Sequence, residues 1–330
     1  MPRRHLSTML AVAGLLTAFY ALAPAGAPAA TCVPATNIEA IVDDSGSMDF
    51  TDRNVNRSEA LKILIAKAGN AKKTLGALEF GSAGFSGGSP AATQLFAPGL
   101  IGANAAAMKT ALDTNLKADH LGTDYNAAFA LAGTENPNAA ARIFLTDGGH
   151  NEGVYNNGHQ GGPPTYVVGL GITDTPVNEA SERLKAIAAE TGGRYYPNVT
   201  TGNVNATMNE IDAALNCQSV AKTFTDKFTK QGQSVRRSSK IGAKSRSVDL
   251  LLSWEDPLNQ FTIGSLKLDA SRGRNPKLKI TKQVGKTFLS VRVRGVKRGR
   301  LKFKLRAAKL GSLGLGQVTL TTQATQSRRR

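Results

Sequence analysis

The sequence predicts an α/β domain built on a doubly wound, mostly parallel sheet, followed by a small antiparallel β-sandwich. Apolar segments of strand length alternate with amphipathic helices as far as Cys217, a pattern typical of a parallel sheet with helices on both faces. Beyond Cys217 the apolar residues recur at every second position, as in half-buried strands. The charge reverses at the same point: residues 31–217 carry 12 Lys and Arg against 19 Asp and Glu, whereas residues 218–330 carry 27 against 5.

The first predicted domain, residues 31–217, consists of alternating strands and helices. Its strands are short and apolar, and its helices have apolar residues on one face. Asn104 is a plausible N-cap for one helix, and Gly192-Gly193 ends another. The predicted elements, in chain order, are strand 38–42, helix 58–68, strand 74–80, helix 104–116, helix 123–132, strand 142–146, strand 165–170, helix 177–191, strand 195–196 and helix 204–215.

Residues 1–30 are predicted to be a secretory signal peptide rather than part of the fold. A basic start at Pro2-Arg3-Arg4-His5 precedes a mostly apolar stretch from Leu6 to Leu22, and Ala27-Pro28-Ala29 provides a small-x-small cleavage pattern. The alternative is a membrane anchor, because the apolar stretch approaches spanning length. No later segment is apolar enough to span a bilayer. We therefore expect a protein that is secreted or otherwise extracytoplasmic, in the periplasm or cell wall.

The chain has only two cysteines, Cys32 and Cys217, and they bracket the first domain. In an oxidising compartment two cysteines most simply form one disulfide. The alternative is a pair of unrelated buried thiols.

The second predicted domain, residues 218–326, is a basic β-sandwich, and residues 327–330 form a basic tail. The polar positions of its strands are strongly cationic, and their alternation with apolar residues predicts that they face solvent. We consider three hypotheses for this face. It is a solvated surface that prevents edge-to-edge aggregation, a site for an anionic envelope polymer, lipid head groups or nucleic acid outside the cell, or a docking surface for the acidic first domain. Few aromatic residues interleave the cations, which argues against nucleic-acid recognition by base stacking. The candidate polyanion-binding residues are Arg292, Arg294, Arg300, Lys302, Lys304 and Arg306.

Residues 41–50, IVDDSGSMDF, end an apolar strand in a group of oxygen-bearing side chains. Asp43, Ser45 and Ser47 offer one carboxylate and two hydroxyls from a single tight loop, and hard divalent cations such as Mg²⁺ prefer such oxygens. By this spacing Asp44 points the other way, so Asp44→Ala is expected to have little effect. The alternative is that Asp43 and the serines only satisfy backbone donors in the loop.

Two further oxygen ligands are predicted at the same edge of the sheet. The strand 142–146 ends at Asp147, and the carboxyl ends of parallel strands meet at one edge, where ligands bind in such folds. Asp147 would add a second carboxylate, directly or through water. Thr123, in a loop that enters a helix, would add a third hydroxyl.

Four segments, in this order and spacing, resemble a von Willebrand factor A-type domain: VDDSGSM, GTDYNAAFALA, IFLTDG and LKAIAAETGGRYY. The resemblance covers residues 36–217. It implies a metal-ion-dependent adhesion site (MIDAS), in which an Asp-x-Ser-x-Ser loop, a Thr and a second Asp hold the ion. The terminal cysteine pair also recurs in some members of the family. The matching positions of this sequence are Asp43, Ser45, Ser47, Thr123 and Asp147.

The chain departs from the family between Asp147 and Thr165. The family usually has a helix there, whereas GGHNEGVYNNGHQGGPP predicts a loop near the metal face. Its His150 and His159 are interpreted as either accessory metal ligands or solvated loop residues. In the second domain, only VDLLLSWEDP resembles a strand of bacterial pre-peptidase C-terminal β-sandwiches.

We therefore expect an exported, non-enzymatic adhesion protein. A divalent cation, Mg²⁺ or alternatively Mn²⁺ or Ca²⁺, would engage a Glu or Asp of a protein partner, and the cationic domain would attach to the envelope or to a polyanion. One alternative is an envelope hydrolase that uses the metal or Ser86, although Gly84–Gly88 lacks the strand-turn-helix context of a nucleophile elbow. The other is a metal-free structural envelope protein.

Overall fold

The computed structural model describes residues 32–83, 90–176, 178–311 and 317–328. Residues Val33–Arg330 form one compact unit. The predicted signal peptide and the Gly84–Gly88 segment with Ser86 lie outside the described residues. Within the described ranges, no helix is long and apolar enough to cross a membrane.

A six-stranded sheet in the order β3-β2-β1-β4-β5-β6 organises the first part of the chain. All its neighbouring strands are parallel except β2 and β3, which are antiparallel. The predicted mostly parallel sheet is confirmed. The elements of this part are β1 (Asn37–Asp43), α1 (Met48–Thr51), α2 (Asn56–Ala66), β2 (Thr74–Phe80), β3 (Ala92–Leu100), α3 (Ile101–Thr114), α4 (Tyr125–Glu135), β4 (Ala141–Thr146), β5 (Thr165–Leu170), α5 (Glu179–Glu190), β6 (Arg194–Val199) and α6 (Val204–Leu215).

Helices cover both faces of this sheet, as a doubly wound fold requires. Apolar residues of α2, α3 and α6 share one core cluster with Ile38 and Val42 of β1. The neighbouring Ile41 points to the other face, where it joins a second cluster with α4 and α5. Because β1 is central and buried on both faces, its carboxyl end meets that of β4 in the middle of one sheet edge.

The edge strand β3 was not predicted. It contains Pro98 and pairs irregularly with β2, so its apolar residues do not recur regularly at every second position. Because the chain passes from β3 directly into α3, the helix begins at Ile101 and Leu100 is its N-cap. Asn104 is therefore not the cap that the sequence suggested; its side-chain amide donates to the Leu100 carbonyl at 2.9 Å.

Residues beyond Cys217 form the predicted antiparallel β-sandwich, with a core of its own between two sheets. One sheet has three strands in the order β10-β13-β8, and the other has five in the order β11-β12-β9-β14-β7. The last strand reaches Arg328, two residues into the segment predicted to be a tail, because Ser327 still pairs with Ser247. The strands are β7 (Val220–Phe228), β8 (Ser234–Ile241), β9 (Ser245–Ser253), β10 (Gln260–Ala270), β11 (Lys279–Val284), β12 (Phe288–Arg294), β13 (Gly299–Lys309) and β14 (Val318–Arg328).

The outer face of the five-stranded sheet packs against α2 and α6. Leu251 and Phe288 point away from the sandwich core and join the core cluster of the α/β part. At the same junction the Asn209 amide donates to Gln323 at 2.8 Å, and the Lys286 backbone N–H donates to Glu59 at 2.6 Å. All eleven residues of α2 are buried. Cys217 thus marks a change of architecture within a single compact unit.

The chain's two cysteines, Cys32 and Cys217, are both disulfide-bonded, as predicted.

Arg292 belongs to this junction rather than to a solvent face. Its side chain is 18% exposed and lies 3.7 Å from the Asp249 carboxylate. A Cβ added at Gly69, in the α/β part, would stand 2.7 Å from its guanidinium. Arg292 is therefore separated from the other predicted polyanion-binding residues, which are exposed: Arg294 on β12, and Arg300, Lys302, Lys304 and Arg306 on β13.

Candidate metal centre

Asp43 is the last residue of β1 and is fully buried. One of its carboxylate oxygens accepts the backbone N–H of Ser45 at 2.8 Å, and the other accepts the Thr146 hydroxyl at 2.5 Å. The loop that follows turns tightly against its neighbour, because a Cβ at Gly46 would stand 3.0 Å from the His120 carbonyl oxygen. The Asp43 side chain is thereby fixed at the end of the strand.

The two serine hydroxyls extend this arrangement toward β4. Ser45 Oγ and Ser47 Oγ lie 3.0 Å apart, and the Ser47 hydroxyl donates to Asp147 Oδ1 at 2.7 Å. Ser47 is the N-cap of α1, yet its side chain makes no capping hydrogen bond. The interpretation that the serines only cap the loop therefore fails for Ser47, whose hydroxyl faces the second carboxylate.

Asp147, directly after β4, has an unused carboxylate oxygen. Its Oδ1 accepts from Ser47, whereas its Oδ2 is buried without a hydrogen-bond partner. Burial, together with the nearby Asp147 charge, raises the pKa of Asp43 to about 6. A buried carboxylate, a second carboxylate that repels it and a buried oxygen without a donor are what a bound cation would compensate.

Thr123 lies in the loop that leads into α4. Its backbone N–H donates to Asn151 Oδ1 at 2.7 Å, and the following residue, Asp124, caps α4 with its side chain. The Thr123 hydroxyl stands 3.6 Å from the position of a Cβ at Gly148, next to Asp147. The structure thus brings all five predicted ligands to one edge of the sheet, with the Asp43 loop, Ser47 and Asp147 connected by hydrogen bonds.

The chemistry of this donor set suits a hard divalent cation. Its oxygens come from two carboxylates and three hydroxyls, the donor types that Mg²⁺ and Ca²⁺ take in proteins. Among the described residues no three His, Cys, Asp or Glu side chains gather into a metal-binding group, so the fit depends on the hydroxyl oxygens. Ser47 is exposed whereas Asp43 and Ser45 are buried, so the open side of the group faces solvent at Ser47.

Asp44 is not the position of little consequence that the sequence suggested. Its carboxylate is fully buried and lies 2.5 Å from the guanidinium of Arg57, which is also buried. It also accepts the backbone N–H groups of Lys117 and Ala118, both at 2.9 Å. Asp44 therefore joins the loop after β1 to α2 and to the segment after α3. Alternation along the strand could indicate only that it points away from Asp43.

The segment 148–164 contains no helix, in agreement with the sequence, but its histidines are not solvated. His150 Nδ1 accepts the Tyr125 backbone N–H at 3.1 Å, and the side chain is almost completely buried. His159 is buried between Tyr155 and Glu190, with hydrogen bonds of 2.6 and 3.0 Å to their oxygens. Both rings pack under the loop, a placement that its glycine- and asparagine-rich sequence does not indicate.

A cavity of about 490 Å³ opens beside Asp147. Its wall includes His150, whose Nε2 is buried without a hydrogen-bond partner, and Arg183 of α5. Because His150 Nδ1 is an acceptor, Nε2 carries the proton in the neutral ring and is an unsatisfied donor. These two residues could hydrogen-bond a ligand at the metal centre, and sequence reasoning missed this role because it depends on the packing of α5.

Large exposed apolar side chains lie on the segments that carry the candidate ligands. Phe50 is 80% exposed, Leu121 68% and Val154 89%. They lie on the segments that carry Ser47 and Thr123 and on the loop that follows Asp147. These segments contact one another: Ser45 pairs with His120, and Asn151 with Thr123. An exposed apolar rim around a polar centre is typical of an interaction surface.

No protein-family model matches the chain, and no curated protein matches it. Solved structures that resemble it include a von Willebrand factor type A protein and two others. A von Willebrand factor type A protein from Catenulispora acidiphila is 17% identical, with a TM-score of 0.43, over 83% of this chain and 58% of its own. Proximal thread matrix protein 1 from the mussel byssus, with zinc in its MIDAS motif, is 14% identical, with a TM-score of 0.44, over 61% of this chain and 51% of its own.

The pilus adhesin SpaC from Lactobacillus rhamnosus GG is 14% identical, with a TM-score of 0.44, over 83% of this chain and 40% of its own. The chain thus spans about half the length of the solved proteins that it matches. These likenesses concern the fold.

Proposed function

We propose that this protein is an extracytoplasmic, non-enzymatic adhesion protein whose A-type part binds a protein partner through a divalent cation. The ligands would be Asp43, Ser45, Ser47, Thr123 and Asp147, and Mg²⁺ is the expected ion. A cation bound there would offer an open coordination position to a Glu or Asp of the partner.

One observation carries this proposal: the Ser47 hydroxyl and the Asp147 carboxylate meet at 2.7 Å although they are a hundred residues apart in sequence. Ser47 forgoes capping its own helix, and Asp147 keeps a buried oxygen without a donor. A group that only stabilised the loop would satisfy these atoms. The arrangement is best explained as a preformed set of ligands.

The surroundings support a protein partner rather than a small substrate. Phe50, Leu121 and Val154 form an exposed apolar rim, and apolar contacts of this kind supply much of the binding energy at protein interfaces. His150 and Arg183, in the adjoining cavity, can donate to the carboxylate oxygen that does not contact the cation. The partner segment is therefore expected to present an acidic side chain between apolar ones.

Metal binding is tested by calorimetric titration of the chain from residue 31 onward with Mg²⁺, Mn²⁺ and Ca²⁺. Ser47→Ala should weaken binding on the order of 10- to 100-fold, the range for a disturbed ligand shell. Because Ser47 is exposed, this change should leave the fold intact. Asp49→Asn is the matched control, since Asp49 is an exposed acid in the next helix and should leave affinity unchanged. Silence with all three ions would refute the proposal.

Partner binding is tested by a pull-down from envelope extract, with and without EDTA. Proteins captured by the wild type in Mg²⁺ should be absent with EDTA and with Asp147→Asn, whereas Asp49→Asn should capture them normally. Capture that resists both EDTA and Asp147→Asn would contradict the metal-dependent mechanism.

A further inference from the structure

The outer face of the three-stranded sheet carries cations on every strand. We call this surface the cationic face. Its Lys and Arg side chains are exposed, and they alternate with buried residues that fill the sandwich core. The cationic face consists of Arg236 and Lys240 on β8, Lys267 on β10, and Arg300, Lys302, Lys304 and Arg306 on β13.

Like charges lie directly opposite one another across these strands. Lys304 of β13 pairs with Arg236 of β8. In the same pairing Arg300 lies opposite Lys240. On the other side of β13, Lys302 lies opposite Lys267 of β10. Like charges at directly opposite positions destabilise a sheet, so the fold retains three unfavourable pairs on one surface.

Compensating acids are almost absent from this surface. Asp269 is the one acid in the described residues of the three strands, and it lies 2.5 Å from Lys302. Surfaces that are merely kept soluble usually intersperse both signs of charge. The cationic face instead concentrates one sign, which favours binding of an anion.

Two of the hypotheses drawn from the sequence do not explain the cationic face. Cations prevent aggregation when they lie on edge strands, which accounts for the three on β8 and β10 but not for the four on β13, the central strand of its sheet. Docking on the α/β part is carried out by the other sheet, through residues such as Phe288 and Gln323. The cationic face remains exposed after that docking.

The surface also has a concave region. A groove of about 730 Å³ crosses the sheet and is lined by cations of all three strands, among them Arg236, Lys267 and Lys304. A register shift in β10 between Gly264 and Lys267 lies at one end of it. Alternate residues of one strand are roughly 7 Å apart and neighbouring strands roughly 4.8 Å apart. The cations therefore form a two-dimensional array with neighbours roughly 5 to 7 Å apart, which a flexible polyanion can contact at several charges at once.

We propose that the cationic face binds a linear polymer with closely spaced phosphate groups. The positions between the cations are small or polar, such as Thr262, Gly264 and Ser238, and the described residues of the three strands carry no exposed large apolar side chain for insertion into a membrane. Two aromatic side chains line the groove, but Phe303 is buried and Phe224 of β7 is half-buried beside Arg237, so neither is an exposed platform for stacking on bases. The binding is nonspecific in sequence and electrostatic, and it does not depend on the metal centre.

The test uses the chain from residue 31 onward and fluorescently labelled long-chain inorganic polyphosphate, with anisotropy measured from 50 to 200 mM NaCl. The face variant neutralises both members of two like-charge pairs. It carries Arg236→Gln, Lys240→Gln, Arg300→Gln and Lys304→Gln. The control variant loses the same charge from exposed loops at one end of the sandwich. It carries Arg272→Gln, Arg274→Gln, Lys297→Gln and Arg298→Gln.

The negative slope of log affinity against log salt should become shallower by about 3 in the face variant. Four cations are lost, and each phosphate contact contributes roughly 0.7 to 0.9 to the slope. The control should change the slope by less than about 1. The face variant should melt at the same or a higher temperature than the wild type, since like-charge pairs are removed. Equal losses in both variants, or binding that is insensitive to salt, would overturn the proposal.

Two further probes separate the sources of phosphate. Vesicles of phosphatidylcholine with phosphatidylglycerol present lipid phosphates, and duplex DNA presents nucleic-acid phosphates. Polyphosphate should bind more tightly per phosphate than either. Tighter binding to the vesicles would overturn the proposal and indicate a membrane surface as the ligand. Tighter binding to DNA would overturn it in favour of nucleic acid. Ser47→Ala should leave polyphosphate binding unchanged, so this proposal and the metal-dependent one fail separately.

Discussion

Replacing Asp44 by alanine should destabilise the protein although Asp44 is not a predicted metal ligand. The carboxylate is 0% exposed and its partner Arg57 is 1% exposed, with 2.5 Å between them. Removing one partner of a buried ion pair costs about 3–5 kcal/mol, because the other charge stays buried. The backbone N–H groups of Lys117 and Ala118 would lose their acceptor as well.

Arg57 is not left entirely alone in this variant. Its guanidinium also contacts Asp52 at 3.2 Å, so part of its charge remains compensated. We therefore expect a loss near the lower end of that range, about 3 kcal/mol in the free energy of unfolding. With an m-value of about 3 kcal/mol/M, the urea midpoint would fall by ~1 M.

The assay is urea unfolding followed by far-UV circular dichroism, with Asp49→Ala as the control. Asp49 is an exposed acid in the same segment, so its loss should change stability by less than about 0.5 kcal/mol. The double variant Asp44→Ala/Arg57→Met should recover part of the loss, since the orphaned charge is removed too. If Asp44→Ala unfolded within about 0.5 kcal/mol of the wild type, the buried pair would not have the role argued for it.

Three further predictions concern other parts of the molecule. Burial raises the pKa of Glu39 from 4.5 to about 7, so the ionised carboxylate does not destabilise the folded protein below pH 4.5 but costs about 3 kcal/mol above pH 7. Glu39→Gln should therefore stabilise the protein at pH 8 but not at pH 4.5, as measured by urea unfolding at the two pH values. Equal effects at both pH values would contradict this. Phe50→Ser should weaken capture of the protein partner roughly tenfold or more while leaving Mg²⁺ affinity unchanged, because the exposed ring can no longer be buried against the partner. A loss of Mg²⁺ affinity in calorimetry would show that Phe50 acts on the site itself. Phe288→Ala should cost about 3–5 kcal/mol and keep a single unfolding transition, since Phe288 is part of the α/β core; two separate transitions in calorimetric scans would show that the parts unfold independently.

The order of strands and helices, and the edge at which Asp43 and Asp147 meet, could be predicted from the sequence. Both follow from local periodicity and from the rule that parallel strands end on one side. The edge strand β3 could not, because Pro98 and its irregular register hide the strand period. Elements with a regular period were therefore predictable, and irregular ones were not.

Contacts between side chains of distant segments could not be predicted from the sequence either. The sequence places Asp44 opposite Asp43 but does not show that Arg57 lies within 2.5 Å of it. His150 looks like a solvated loop residue until Tyr125 is packed beside it. Arg292 alternates with apolar residues in the same way as Lys302. Only the assembled fold shows that Arg292 packs beside Gly69 whereas Lys302 is exposed to solvent.

The complete burial of α2 limits how this chain can be divided. The helix is enclosed by the six-stranded sheet, α3, α6 and β12, so one of its walls comes from residues far beyond Cys217. Its buried Glu59 accepts backbone N–H groups from Lys286 and Thr287, and a chain that stopped at Cys217 would leave that carboxylate without these donors. The α/β part is thus not an independent domain that can be excised, fused or exchanged by itself. Truncation and domain-swap experiments should retain the sandwich through Arg328.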